Sequence, residues 1–145
     1  MGGVGGMFQA FDPHLAPLNA RGAKLILWNG TTDSSVSARD TERYYDHVVG
    51  TLGQDKADQT VELFMAPGVG HCYGGPGPDK VDLLKAVATW VEQGTPASAQ
   101  SLVHRMVDAS GATTAARPLC KYPTYPRYKG SGDMNDAASF ACSAL

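Results

Sequence analysis

Residues 61–78 read VELFMAPGVGHCYGGPGP. Val61 to Met65 is an apolar run of strand length, with β-branched and aromatic side chains, stopped by Pro67 and Gly68. The loop behind it packs five glycines and two prolines into Gly68–Pro78 and carries one histidine, His71, beside one cysteine, Cys72. Irregular backbone of this kind can hold a side chain at the carboxyl end of a strand, where open α/β sheets gather their ligands and catalytic groups. A second unit of the same design lies upstream. Lys24 to Trp28 reads as a strand buried on both faces of a parallel sheet, and Asn29-Gly30-Thr31-Thr32-Asp33 turns out of it.

Between the two strands, Ser37 to about Leu52 reads as a helix. Ser37 is placed to cap it, Tyr44, Tyr45, Val48, Val49 and Leu52 form its apolar stripe, and Gly53 stops it. Gly53 to Gln59 is then a polar connection into the Val61 strand. Strand, helix and strand make a β-α-β unit with a right-handed crossover, so the expected fold class is α/β. Downstream, Asp79 to Glu92 reads as a helix capped by Asp79, with Val81, Leu84, Ala88 and Val91 along one side and Gly94 as its stop. Ser101 to Val107 reads as a strand. The tail from Arg117 is rich in Pro, Tyr and Gly with little periodicity, while residues before Gly22 are irregular except for a short helical piece at Leu15–Arg21. The expected division is an irregular lead-in at 1–22, an α/β body at 23–107, and a tail of the same domain at 108–145.

Composition removes several function classes. A length of 145 residues suits one domain with a real core, and a net charge of −2 gives no electrostatic case for nucleic acid or a membrane surface. No apolar run approaches the roughly 20 residues that cross a bilayer. The first residues, MGGVGGMFQAF, have neither the basic nor the long apolar region of a secretory signal. Their glycines follow no strand, so they make no phosphate-cradling loop. The histidines and cysteines lack zinc-site spacing, so no metal and no cofactor is expected.

Three cysteines is an odd number. Cys120 and Cys142 bracket the tail; a disulfide between them would add about 3 kcal/mol through loop closure, and two free thiols in a reducing compartment are the alternative. Asp33 and His71 also have two readings each. Aspartate is a common turn residue and helix cap, and a lone loop histidine is often only a hydrogen-bonding group. Taken together they match the α/β-hydrolase order of nucleophile, acid and then histidine, with acid and base on loops after late strands. No G-x-S-x-G or Cys-Ser elbow is present to supply the nucleophile.

Several blocks resemble the tannase and feruloyl esterase family. They are Lys24–Asp33, Phe64–Cys72 with Gly74–Gly77, Arg117–Pro123, and the closing Arg127–Gly132 with Phe140–Cys142. Two positions depart from the usual pattern: Asn29 stands where the family commonly has histidine, and Ser34 follows Asp33 where it commonly has proline. The resemblance implies a serine esterase on an α/β-hydrolase core, secreted or periplasmic, cleaving aromatic carboxylic esters of the galloyl or feruloyl type. It implies Asp33 as the triad acid, His71 as the triad base, and a disulfide between Cys120 and Cys142. Cys72 is implied to pair with a cysteine beside the nucleophilic serine, outside these residues. The chain is accordingly expected to be the C-terminal portion of an enzyme whose N-terminal part carries nucleophile, oxyanion hole and lid. The other reading is a freestanding binding module whose tail tyrosines Tyr122, Tyr125 and Tyr128 stack on phenols or sugars without catalysis.

Overall fold

A computed structural model describes residues 11–144. Its organising unit is a pair of parallel strands, β1 (Leu25–Gly30) and β2 (Val61–Ala66), in register from Leu25 opposite Val61 to Gly30 opposite Ala66. A five-residue helix, α1 (Ala16–Ala20), leads in. The crossover between the strands is helical along nearly its whole length, as α2 (Ala38–Leu52) and α3 (Gln54–Thr60). The expected polar connection at 53–59 is thus a helix. Gly53, at φ 83°, breaks α2 without ending helical structure. The seven-residue α3 is then held by its buried Ala57 and by Thr60, whose hydroxyl accepts from the Asn19 side-chain amide at 2.9 Å. Its stabilisation is tertiary, which a polar composition conceals.

Successive residues of β2 point to opposite faces, and each face has its own core. Val61, Leu63 and Met65 pack with Leu15, Tyr45, Val48 and Ala57 from the helices. Phe64 packs on the other side with Ala86 of α4 (Leu83–Gln93), Ala97 and Leu119. Every residue of β2 is buried. Burial of β1 on both faces does not hold: Leu25 to Trp28 are only half-buried, because among the described residues β1 has β2 as its sole strand neighbour.

Helix α4 begins four residues later than the sequence suggests. Its cap is Asp82, which accepts the Lys85 N–H at 2.9 Å. Asp79 is otherwise engaged: its carboxylate accepts the Gly74 N–H at 2.8 Å inside the His71 loop.

The strand expected at 101–107 is β3 (Val103–Val107), since Ser101 sits in the left-handed region at φ 50°. It pairs antiparallel with β4 (Thr113–Pro118), outside the parallel sheet. The tail is more regular than expected, for β5 (Thr124–Tyr128) and β6 (Phe140–Ala144) also pair antiparallel. Cys120 and Cys142 are joined in a disulfide, with Cα atoms 5.5 Å apart. Beside the disulfide the tail covers the outer edge of β2: Tyr122 N–H donates to the Leu63 carbonyl, and Lys121 forms a bridge with Phe64.

An ionic contact fixes the same place. Glu62, 1% exposed, accepts from the Ser98 N–H and hydroxyl, and Lys121 Nζ lies 3.5 Å from it and 2.7 Å from Asp58. Burial works against the Lys121 charge, but the Asp58 bond and the Glu62 carboxylate hold its pKa above the ordinary value. Removing one partner of such a set leaves a buried charge uncompensated, which is where the energetic penalty lies.

Candidate active site

Both parallel strands end on the same side, and their loops are laced together. Thr31 N–H donates to the Ala66 carbonyl, and Thr32 donates twice to Val69 O, from its N–H at 3.0 Å and its hydroxyl at 2.8 Å. In return the Gly68 N–H donates to Thr31 Oγ1 at 3.0 Å. Gly30 sits at the seam, where a Cβ would collide with the Val69 and Gly70 carbonyls, so only glycine permits this approach. Neither threonine stood out in the sequence. The only signal was a pair of hydroxyls directly after a strand-ending glycine.

The lacing brings Asp33 and His71 together. Asp33 Oδ1 accepts the Ser35 and Val36 N–H groups at 2.7 and 2.9 Å, and Asp33 Oδ2 lies 2.8 Å from His71 Nδ1. The Val36 bond, opposed by burial and assisted by Ser35 and His71, holds the Asp33 carboxyl below the usual carboxylate range. An ionised carboxylate only accepts, so the facing Nδ1 carries the proton and Nε2 keeps its lone pair. The Asp33 side chain is 5% exposed and that of His71 56%. The pair therefore presents a fixed, buried carboxylate behind an accessible imidazole oriented to accept a proton.

The His71 loop closes largely on its own backbone. Gly70 N–H donates to Gly74 O and Gly77 N–H to Gly68 O, with the Asp79 carboxylate as an internal brace. Cys72, next to His71, is exposed, free and at φ 64°. Among the described residues no hydroxyl is hydrogen-bonded to the His71 ring, whose partner there is Asp33. Asn29 is buried beneath the acid loop, accepting the Thr41 hydroxyl and donating to Gly30 O. Among the described residues no group of three or more His, Cys, Asp and Glu side chains is arranged to hold a metal ion, and no helix is long and apolar enough to cross a membrane.

The sequence profile of the family described as tannase and feruloyl esterase matches residues 3–143. The chain is 42% identical over 135 residues to the mono(2-hydroxyethyl) terephthalate hydrolase of Piscinibacter sakaiensis, covering 93% of this chain and 22% of that protein. With feruloyl esterase B of Aspergillus niger the identity is 29% over 150 residues, covering 92% of this chain and 28% of the relative. The crystal structure of feruloyl esterase B from Aspergillus oryzae superposes with a TM-score of 0.82 at 25% identity, over 92% of this chain and 29% of that one. The chain thus spans only between a fifth and a third of the length of the relatives it matches.

Proposed function

Because the chain belongs to the tannase and feruloyl esterase family, we propose that it forms the C-terminal part of an α/β-hydrolase fold and supplies the acid and base of a serine esterase. The observation that carries this is the 2.8 Å contact between Asp33 Oδ2 and His71 Nδ1, made by two loops that leave adjacent parallel strands. With Nδ1–H committed to Asp33, His71 Nε2 takes the proton of a serine hydroxyl as that oxygen attacks the ester carbonyl. The imidazolium, stabilised by the buried carboxylate, then returns the proton to the departing alcohol or phenol oxygen. A water repeats the cycle on the acyl-serine. The serine belongs to polypeptide outside the described residues.

The substrate class is aromatic carboxylic esters. The relatives named above act, by their names, on feruloyl and terephthalate esters, which share an acyl group conjugated to a ring system. Cys72, exposed beside the base, is assigned a disulfide to a cysteine near that serine. With Cys120–Cys142 already joined, this favours an oxidising compartment, so the protein is secreted or periplasmic.

Turnover of an aromatic ester by the full polypeptide that carries this segment tests the reading. His71→Ala should lower kcat by about 10⁴-fold, and adding the removal of the serine should cost little more, because the groups act as a unit. Near-normal turnover in the His71→Ala protein, or an acyl-enzyme formed by the 145-residue chain alone, would overturn it.

A further inference from the structure

A second histidine is bonded to the end of the His71 loop, and the proposed chemistry does not use it. His104, on β3, has no exposed surface. Its Nδ1 is 2.7 Å from the Pro78 carbonyl oxygen. A carbonyl only accepts, so Nδ1 carries the proton, and in the neutral ring Nε2 is a bare acceptor. That atom is buried without a hydrogen-bond partner among the described residues. Buried polar atoms are rarely left so, and one that is calls for an explanation. Trp28 stands edge-on to the ring, 6.1 Å between centroids at 88°, and limits how it can turn.

What the ring holds with its other nitrogen, Pro78, shows its place in the fold. Pro78 is the last residue of the loop that carries His71. The next two residues are held by the next residue of β3: Asp79 and Lys80 N–H both donate to Arg105 O, and Arg105 N–H donates to Lys80 O. His104 and Arg105 thus fasten the exit of the loop, while Thr31 and Thr32 fasten its start. His71 stands on the span between these two anchor points.

We propose that His104, in its neutral Nδ1–H form, is a positioning residue for the His71 loop, clamping Pro78 so that His71 meets Asp33, and that protonation of His104 releases the clamp. The inference rests on the proposed function only in taking His71 as the base. A second proton would give Nε2 an N–H with nothing to accept it among the described residues. The charge would sit opposite Arg117, its register partner on β4, and next to Arg105 on its own strand. Across the bridge lie Lys80 and Asp79, and the Asp79 carboxylate is already engaged by Gly74 N–H and Lys80 Nζ. The protonated ring is relieved by moving outward, which breaks the Pro78 bond.

Burial, with Arg117 adding to it and the Pro78 bond opposing, lowers the His104 pKa below its ordinary 6.5. The unfolded chain therefore binds the proton first. The clamp is at full strength above about pH 6.5 and is lost as the pH falls through the lowered value. Other groups in the loop do not imitate this. Asp79, chiefly through the Gly74 bond, and Asp33, chiefly through the Val36 bond, are held below the usual carboxylate range and stay ionised. The bond from His71 Nδ1 to Asp33 is donated by the ring whether or not Nε2 also carries a proton.

Hydrogen exchange of the Gly70, Gly74 and Gly77 amides in the 145-residue chain, expressed as protection factors, reads the clamp directly. Protection should fall by about ten-fold between pH 7 and pH 5, the scale of one or two lost buried hydrogen bonds. In His104→Asn, whose amide can donate to Pro78 without titrating, protection should match the parent at pH 7 and stay flat with pH. In His104→Phe, which keeps a ring against Trp28 but has no donor, it should be low at both pH values. A flat profile in the parent, parent-like protection in the Phe variant, or an Asn variant as loose as the Phe variant would overturn the proposal. Exchange in β2 reports whether the Phe variant folds; if it does not, the parent and Asn profiles decide. None of these readings depends on ester turnover, so a failed clamp and a failed triad give different results.

Discussion

Asp33 and His71 follow neighbouring strands of one sheet, yet their loops are built differently. The Asp33 loop is short and adds side-chain bonds to the backbone bonds of Thr31 and Thr32. Thr31 and Thr32 reach across to the other loop, and Asp33 folds back on its own Ser35 and Val36 amides. The base loop is longer, rich in glycine, and held mainly by its own backbone with braces at its ends. The outcome is a buried carboxylate and an exposed imidazole. On the proposed reading the contrast is chemical: an acid has to stay ionised and in place, whereas a base has to reach a second reactant. The strands beneath follow the same division. β2, under the base, is buried throughout and covered on its outer edge by Lys121 and Tyr122; β1, under the acid, is half-exposed.

Breaking the seam between the loops should have the largest effect. Gly30→Ala drives a methyl group into the Val69 and Gly70 carbonyls, backbone atoms that cannot step aside cheaply. A loss of about 3 kcal/mol in denaturant unfolding is expected, at the upper end for overpacking. A loss below about 0.5 kcal/mol, within the range of an ordinary surface change, would show that the seam is looser than described.

Weakening one side only should sharpen the comparison. Thr32→Val keeps the shape of the side chain but removes the hydroxyl that donates to Val69 O, while the backbone N–H of residue 32 still reaches the same carbonyl. The expected loss is about 1 kcal/mol, the net value of one hydrogen bond. Chemical-shift changes should extend from residue 32 to the start of the His71 loop and stop before Gly74. Changes confined to the acid loop would mean that the two loops are not mechanically joined there.

Much of this was legible in the sequence, and the limits have physical reasons. β1, β2 and α2 announced themselves because continuous apolar runs and a 3.6-residue stripe are local signals. Asp33 and His71 could be nominated because each follows a strand, although their pairing is a matter of register between segments 38 residues apart. What stayed hidden depends on distant partners. α3 is polar and draws its hold from Ala57 packing and from the Asn19 amide that reaches Thr60 from 41 residues away. β4 to β6 are short strands defined by their pairing, β4 with β3 and β5 with β6, with Pro126 inside β5. Asp79 passed for a helix cap because a capping carboxylate and a loop-bracing one look alike in sequence. His104 gave no signal at all, since its partner is a backbone carbonyl 26 residues away.

Asp33 is placed to hold His71 as the Nδ1–H tautomer with Nε2 free to accept a proton, and imidazole nitrogen NMR measures this directly. On the chain labelled with ¹⁵N-histidine, above the pH at which the ring protonates, His71 should show a protonated Nδ1 with a slowly exchanging proton and an unprotonated Nε2. Asp33→Ala should abolish that slow exchange and shift the ring toward Nε2–H. A parent spectrum with Nε2 protonated, or one unchanged by Asp33→Ala, would contradict the account.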